Sequence, residues 1–417
     1  MTRMPLSQML RVFLSWRMLV AFLMGFACGL PLLLTGSVLQ AWMAIEGVDL
    51  RTIGLFALVG LPYTVKFLWA PLLDRFTPPL FGRRRGWLLL AQGGLIVSLI
   101  WLGMSNPAEN LWIVALLAFL VTFFSASQDI VVDAYRREDL ADEELGLGSS
   151  LYVNGYRVGM LLAGSGGLIL ADFIPFSTVY LLMALTMGLG LITTLLAREP
   201  KVAAGTPVTL KEAVVEPFRE YFQRPEALLF LLFILFYKVG DTMAATMTTP
   251  FYLQVGFTMS EIGAVVKLFG FWATIGGGLL GGLLILRWGI YRSLWVFGIL
   301  QGVSTAGFAI LVWSGNSVSW LAAVIAFENL SSGMGTAAFV AFMASLTNKR
   351  FTATQYALLS SLMGIPRVFA GASTGFLVEI TGWVWFFILC SLIAIPGLLL
   401  LRRFAAVRNP QPAVATA

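Results

Sequence analysis

SSLYVNGYRV, Ser149 to Val158, returns as SSLMGIPRV, Ser360 to Val368, and each copy carries an arginine, Arg157 and then Arg367, about half the chain apart. Both copies lie in apolar runs long enough to cross a bilayer, so the repeat places a costly charge inside two membrane segments. A second pair, Ile53-Gly54 and Ile262-Gly263, recurs at nearly the same separation. A tandem repeat on this scale predicts two like bundles, the plan of a secondary transporter with its solute site between the halves.

Composition agrees with a membrane chain. Over 417 residues, 59% are hydrophobic and 12% charged, too few polar groups to cover a water-soluble surface. Windows of about 20 apolar residues predict an all-α polytopic fold with twelve transmembrane helices near 18–43, 52–73, 87–104, 111–134, 148–171, 178–197, 227–253, 260–285, 293–314, 319–345, 355–380 and 383–401. They form two six-helix bundles, residues 1–197 and 226–403, joined by a central loop at 198–225 and followed by a tail at 404–417. The first span is too long for the apolar core of a cleaved signal peptide, so none is expected.

Of the 27 Lys and Arg residues, five fall inside spans (Lys66, Arg157, Lys238, Lys267 and Arg367), Arg51 alone lies on one side, and the rest crowd the other. That asymmetry places both termini and the central loop in the cytoplasm. It also explains the net charge of +6 without nucleic acid. Histidine is absent, which excludes Ser-His-Asp triads and zinc sites of the HExxH type. No lysine precedes Ser or Thr, so there is no Walker A loop. Cys28 and Cys390 match no metal spacing and read as small core residues. An enzyme is not expected, nor a metal or cofactor; the energy source left is an ion gradient, with the proton gradient favoured.

A proton must then ride on a carboxylate. In SASQDIVVDAYRRED, Ser125 to Asp139, Asp129 and Asp133 are one helical turn apart, about 6 Å on one face. Desolvation and mutual repulsion both favour a protonated acid there. Alternatively, Asp133 is a solvated or capping residue at a helix end, and Asp129 is half of an ion pair with Arg157 or Lys66. Gln128 can bond a sugar hydroxyl or pack against a neighbouring helix. Arg157 and Arg367 suit solute carboxylates through bidentate geometry, or gate the path. Lys238 and Asp241, three apart, can neutralise each other. Lys66, Lys267 and Glu328 either line the cavity or pair between helices. The Gly-rich stretches Gly159 to Gly167 and Gly276 to Gly282 read as close helix packing.

DRFTPPLFGRRRG, Asp74 to Gly86, resembles the major facilitator signature between the second and third helices, and predicts a cytoplasmic latch of Asp74, Arg75, Gly82, Arg83, Arg84 and Arg85. Longer blocks are more specific. GFACGLPLLLTGSVLQAWM (Gly25 to Met43), KFLWAPLLDRFTPPLFGRRRGWL (Lys66 to Leu88), SASQDIVVDAY (Ser125 to Tyr135), FENLSSGMGTAAFVA (Phe327 to Ala341) and NKRFTATQYALLSS (Asn348 to Ser361) closely resemble the AmpG muropeptide permease family. The resemblance implies a major facilitator fold in the bacterial inner membrane, working as a monomer among lipid. The implied activity is proton-coupled import of N-acetylglucosaminyl-1,6-anhydro-N-acetylmuramic acid, with or without its stem peptide, from periplasm to cytoplasm for wall recycling. It also nominates Asp129 and Asp133 for proton coupling. Enterobacterial members carry two further helices where this sequence has about sixteen residues after the twelfth span. Shorter relatives include siderophore permeases, so a ferric siderophore is the alternative solute.

Overall fold

The structure, a computed structural model, describes residues 11–48, 50–201, 209–258 and 261–408, without the side chains of 50, 51, 54, 57, 210, 364–373 and 403–408. Regular structure among the described residues is helical. In order the helices are α1 (Trp16–Ile45), α2 (residues 50–75), α3 (Arg83–Met104), α4 (Leu111–Asp139), α5 (residues 145–171), α6 (Phe176–Leu196), α7 (Leu210–Phe222), α8 (Ala227–Val255), α9 (Ile262–Trp288), α10 (Ile290–Ser314), α11 (Val318–Leu346), α12 (Thr352–Leu362) and α13 (Gly364–Arg408). Among the described residues the twelve sequence windows fall mainly on helix, the eleventh interrupted by a turn at Met363. α13 is broken at Gly382, whose φ of 74° lies in the left-handed region. That break separates the eleventh window from the twelfth, and glycine is the residue that adopts it without strain.

Several helices are irregular. α2 alternates short α and 3-10 pieces, with Pro62 and Pro71 each opening a new piece, where a missing N–H does no harm. π-turns interrupt α1 at Leu34–Val38, α5 at Leu162–Gly166 and the start of α9 at Ile262–Phe269. α7 was expected as loop. It begins in a reciprocal capping box, with Glu212 N–H donating to Thr209 Oγ1 at 3.1 Å and Thr209 N–H to Glu212 Oε2 at 3.4 Å.

The chain packs as two compact units. Of the described residues, the first comprises those up to Glu220 together with Met343–Ser361; the second comprises Tyr221–Phe342 and those from Leu362 on. In the first unit α1 and α5 are in backbone contact. A Cβ on Gly25 or Gly29 would lie 2.1 or 2.0 Å from the carbonyl oxygens of Tyr152 and Tyr156, and one on Gly155 or Gly159 would lie 2.0 or 2.2 Å from those of Phe22 and Phe26. Small residues four apart on both helices allow this approach. Leu34, Val38, Leu95, Leu99, Val121 and Met187 complete the apolar interior. The second unit is cored by aromatic rings, among them Phe251 and Phe387 edge to face at 4.8 Å.

Among the described residues, eight helices are long and apolar enough to cross a membrane by length and composition. Their outward faces carry large apolar side chains such as Trp112, Leu185, Ile113 and Leu189, as a lipid-facing surface requires. Trp42 is buried and stacks on Phe176 at 5.7 Å. Both cysteines are free and buried.

Candidate functional site

α4 starts on Asn110, whose side chain accepts from the Ile113 N–H at 3.2 Å. From Ser125 to Arg137 every side chain is buried, so the polar residues here must find partners inside the protein. Tyr63 and Trp69 of α2 donate to Ser125 Oγ at 2.9 Å and Ser127 Oγ at 3.0 Å. Gln128 Nε2 donates to Cys28 Sγ of α1 at 3.4 Å. Asp129 is 7% exposed, and its Oδ1 has no hydrogen-bond partner among the described residues. Lys66, on α2 and itself buried, acts on Asp129 and Asp133 through its charge without a close ion pair to either.

Asp133 is neither solvated nor capping a helix end. α4 continues for more than another turn, and Asp133 Oδ1 accepts from Arg136 Nη2 at 3.0 Å. The spacing of three puts the two on one helix face, a pairing visible in the sequence once the helix is carried to Asp139. The same Nη2 donates to Tyr356 Oη at 3.1 Å, and the guanidinium lies over the Tyr152 ring at 4.3 Å. Asn154 of α5 is buried with neither amide atom bonded. It stands inside the repeat motif, where an amide in an apolar run was the signal for it. Arg157 is half-buried on α5. The side chain of Arg367 lies outside the described residues.

The second unit builds a related group. Lys238 Nζ pairs with Asp241 Oδ2 at 2.9 Å on α8, and Gln301 Nε2 of α10 reaches the same oxygen at 3.5 Å. Glu328 of α11 interacts with Asp241, Lys238 and Ser304, yet its Oε2 is buried without a hydrogen bond. A small cavity with room for about one water lies beside Asp241, lined by Tyr237, Gln301, Thr305 and Cys390 among others. Lys267 is exposed on α9 and does not join this group.

The Asp74 loop forms a third cluster. Asp74 is buried and accepts from Arg84 Nη2 at 2.7 Å and from Thr354 N and Oγ1 at 2.9 and 2.8 Å, with Ala353 N at 3.3 Å. These amides open α12, so the carboxylate serves as its N-terminal acceptor from a distant part of the sequence. Arg84 also makes a two-pronged bond to Glu138 of α4, at 3.0 and 2.6 Å, and Arg83 adds a bond at 3.2 Å. Glu199 accepts from the Arg84 and Arg85 N–H groups at 2.8 and 2.9 Å, capping α3. Its side chain fills the space beside Gly82, where a Cβ would meet it at 2.7 Å. Arg85 closes on the α6 carbonyls of Thr194 and Leu195 at 3.0 and 2.6 Å, while Arg75 lies over the Phe76 ring.

The sequence profile of the Major Facilitator Superfamily matches residues 17–371. The chain is 48% identical to an anhydromuropeptide permease of Escherichia coli (strain K12) over 95% of its own length and 81% of that protein's. The chain belongs to the AmpG permeases of the Major Facilitator Superfamily. A Rickettsia felis protein named as putative transporter AmpG 4 is 33% identical over 94% of this chain and 97% of its own. Among solved structures, a proton:xylose symporter aligns with a TM-score of 0.69 at 11% identity, covering 94% of this chain and 95% of that one. A human organic anion transporter aligns with a TM-score of 0.64 at 15% identity, covering 95% and 100%. These two similarities establish the fold. The permease is thus a multi-pass membrane transporter and not an enzyme.

Within this permease, Glu138, Glu199 and Thr354 are the members of the Asp74 cluster that sequence reasoning missed. Each comes from a distant segment, and only charge balance against Arg83, Arg84 and Asp74 could have hinted at them. Cys28 and Arg136 were likewise missed as partners of the α4 acids.

Proposed function

We propose that this permease imports anhydro-muropeptides, N-acetylglucosaminyl-1,6-anhydro-N-acetylmuramic acid with or without stem peptide, from periplasm to cytoplasm by alternating access. It works in the bacterial inner membrane with both termini cytoplasmic, as a monomer without a cofactor, and is driven by protons. The observation that carries the solute is the 48% identity to an anhydromuropeptide permease across nearly the whole chain. Support for proton coupling comes from Asp129, a carboxylate buried in a transmembrane helix with one oxygen unbonded. A buried acid of that kind is expensive to keep and marks an ion path.

In this reading Asp129 carries the proton and Asp133 hands it on. Gln128 and Lys66 line the path in the first unit. Arg157 and Arg367 meet solute carboxylates, as do Lys238 and Lys267, while Asp241 and Glu328 hold the Lys238 ammonium in place. Asp74 with Arg83, Arg84 and Arg85 forms the cytoplasmic latch, with Gly82 allowing the turn and Arg75 adding positive charge at the surface. The deciding experiment is uptake of radiolabelled N-acetylglucosaminyl-anhydro-muramyl peptide into proteoliposomes with an imposed inward proton gradient. Accumulation that an uncoupler abolishes is expected. Folded protein that took up none, but accumulated a ferric siderophore in the same vesicles, would overturn the solute.

A further inference from the structure

The first turn of α12 is held by three consecutive side chains, each on a different element. Thr354 binds Asp74 of α2. Gln355 donates through Nε2 to Pro217 O at 3.1 Å and to the Glu220 carboxylate of α7. Tyr356 accepts from Arg136 of α4. Arg136 is different, because its surroundings offer it two places.

Arg136 stands midway between two acids of its own helix, Asp133 three residues before and Asp139 three residues after, and both spacings bring side chains together on one face. Its Nη2 is taken by Asp133 and Tyr356, whereas Nε and Nη1 are buried with no hydrogen-bond partner among the described residues. A small cavity with room for about one water adjoins the guanidinium, lined by Ala21, Met24, Val132, Tyr152, Arg17 and Asp139 among others. Asp139 is only loosely engaged, with Arg17 Nε at 3.9 Å from its Oδ2. Thus the structure holds a guanidinium with free donors, an adjoining space, and a second carboxylate across it.

We propose that Arg136 is a two-position arm and Tyr356 the positioning residue it controls. With Asp133 ionised, the arm rests on Asp133 and holds Tyr356 and the start of α12. A proton arriving on Asp133 removes the counter-charge, and a buried guanidinium left alone is strongly disfavoured. The arm then crosses the cavity to Asp139 and lets Tyr356 go. By linkage the effect is reciprocal: docking of Tyr356 drives the proton off Asp133. Other groups set the balance. Lys66 of α2, Asp129 of α4, Cys28 of α1, Tyr152 and Tyr156 of α5 and Tyr356 of α12 face Asp133. Arg17, Glu144, Arg198 and Tyr135 face Asp139. The direction of the cycle rests on the proton-coupled reading above; the two positions of the arm do not.

The test is hydrogen–deuterium exchange of the purified, full-length protein across residues 352–362, which needs no solute. Asp133→Asn imitates the protonated acid, and exchange there is expected to rise about tenfold with α4 unchanged. Tyr356→Phe, which keeps the ring and removes the acceptor, is expected to do the same. Adding Asp139→Asn to Asp133→Asn takes away the second resting place and brings exchange back toward the wild type. Unchanged exchange in Asp133→Asn, or a rise that spreads through α4 and α5, would overturn the arm. Transport separates this from the functional reading. Tyr356→Phe is expected to lose proton-driven accumulation by about fivefold while solute counterflow stays within about twofold. Thr354→Val, which loosens α12 without touching Arg136, slows both together. Wild-type protein without proton-driven uptake would sink the proton coupling and leave the exchange result standing.

Discussion

The acid clusters of the two units share a motif and differ in its setting. Each has an ion pair spaced three along one helix, Asp133 with Arg136 and Lys238 with Asp241, and each adds a further acid with a bare buried oxygen, Asp129 or Glu328. In the first unit the pair is nearly sealed, with side chains 6% and 2% exposed, and its cation is shared with Tyr356 of another helix. In the second the pair is 14% and 21% exposed. Sealing raises the electrostatic stakes of each charge, because a low-dielectric interior screens less. This contrast supports the proposed reading, with the coupling ion at the first cluster and contact with the solute at the second.

The largest effect is expected where that assignment is most exposed. Asp129→Asn removes the acid with the free oxygen, and gradient-driven uptake should fall by about two orders of magnitude while counterflow exchange keeps a measurable fraction of its rate. Glu328→Gln should reduce both modes alike, and by less. Matching losses in both modes for Asp129→Asn, from well-folded protein, would make Asp129 a binding or structural residue and erase the contrast between the units.

Next in size is a stability effect. Glu138 is the only carboxylate the structure gives both Arg83 and Arg84 among the described residues, and all three are almost fully buried. Glu138→Gln leaves Arg84 with Asp74 alone and should destabilise the first unit by about 3–5 kcal/mol, read as a lowered denaturation midpoint in detergent. Asp241→Asn strands Lys238 in a wetter setting, where about 1 kcal/mol is the expected scale. Equal losses would mean that exposure does not separate the two clusters.

These cases mark what the sequence makes legible. Hydropathy places the twelve segments because lipid leaves no choice of which residues face outward, and Gly382 marks the break between the last two. The Thr209 to Glu212 capping box is a helix-start signal, but it stands in a segment whose basic composition reads as cytoplasmic loop. Asp129 stood out since a lone acid in an apolar run has no innocent explanation in sequence. Glu138 and Glu199 did not, because an acid beside several arginines looks like ordinary loop charge; their roles exist only after the fold brings α3, α4 and the end of α6 together. The π-turns of α1, α5 and α9 had no sequence mark that periodicity could detect, as one extra residue in a helix shifts the pattern by less than its natural scatter.

The smallest expected effect tests the contrast through two lysines of like sequence character. Lys66 and Lys267 both sit within apolar segments, and hydropathy treats them alike. The structure does not: Lys66 is buried beside the α4 acids, whereas Lys267 is exposed on α9. Lys66→Met should impair proton-driven uptake by about tenfold, because the field it supplies to Asp129 and Asp133 cannot be replaced by water in a sealed site. Lys267→Met should leave uptake of the disaccharide within about twofold. It should act, if anywhere, on solutes bearing stem-peptide carboxylates, raising their KM without altering the maximal rate. A tenfold loss for the disaccharide, which lacks the stem-peptide carboxylates, would place Lys267 in the coupling machinery, and the division of labour between the units would then have to be redrawn.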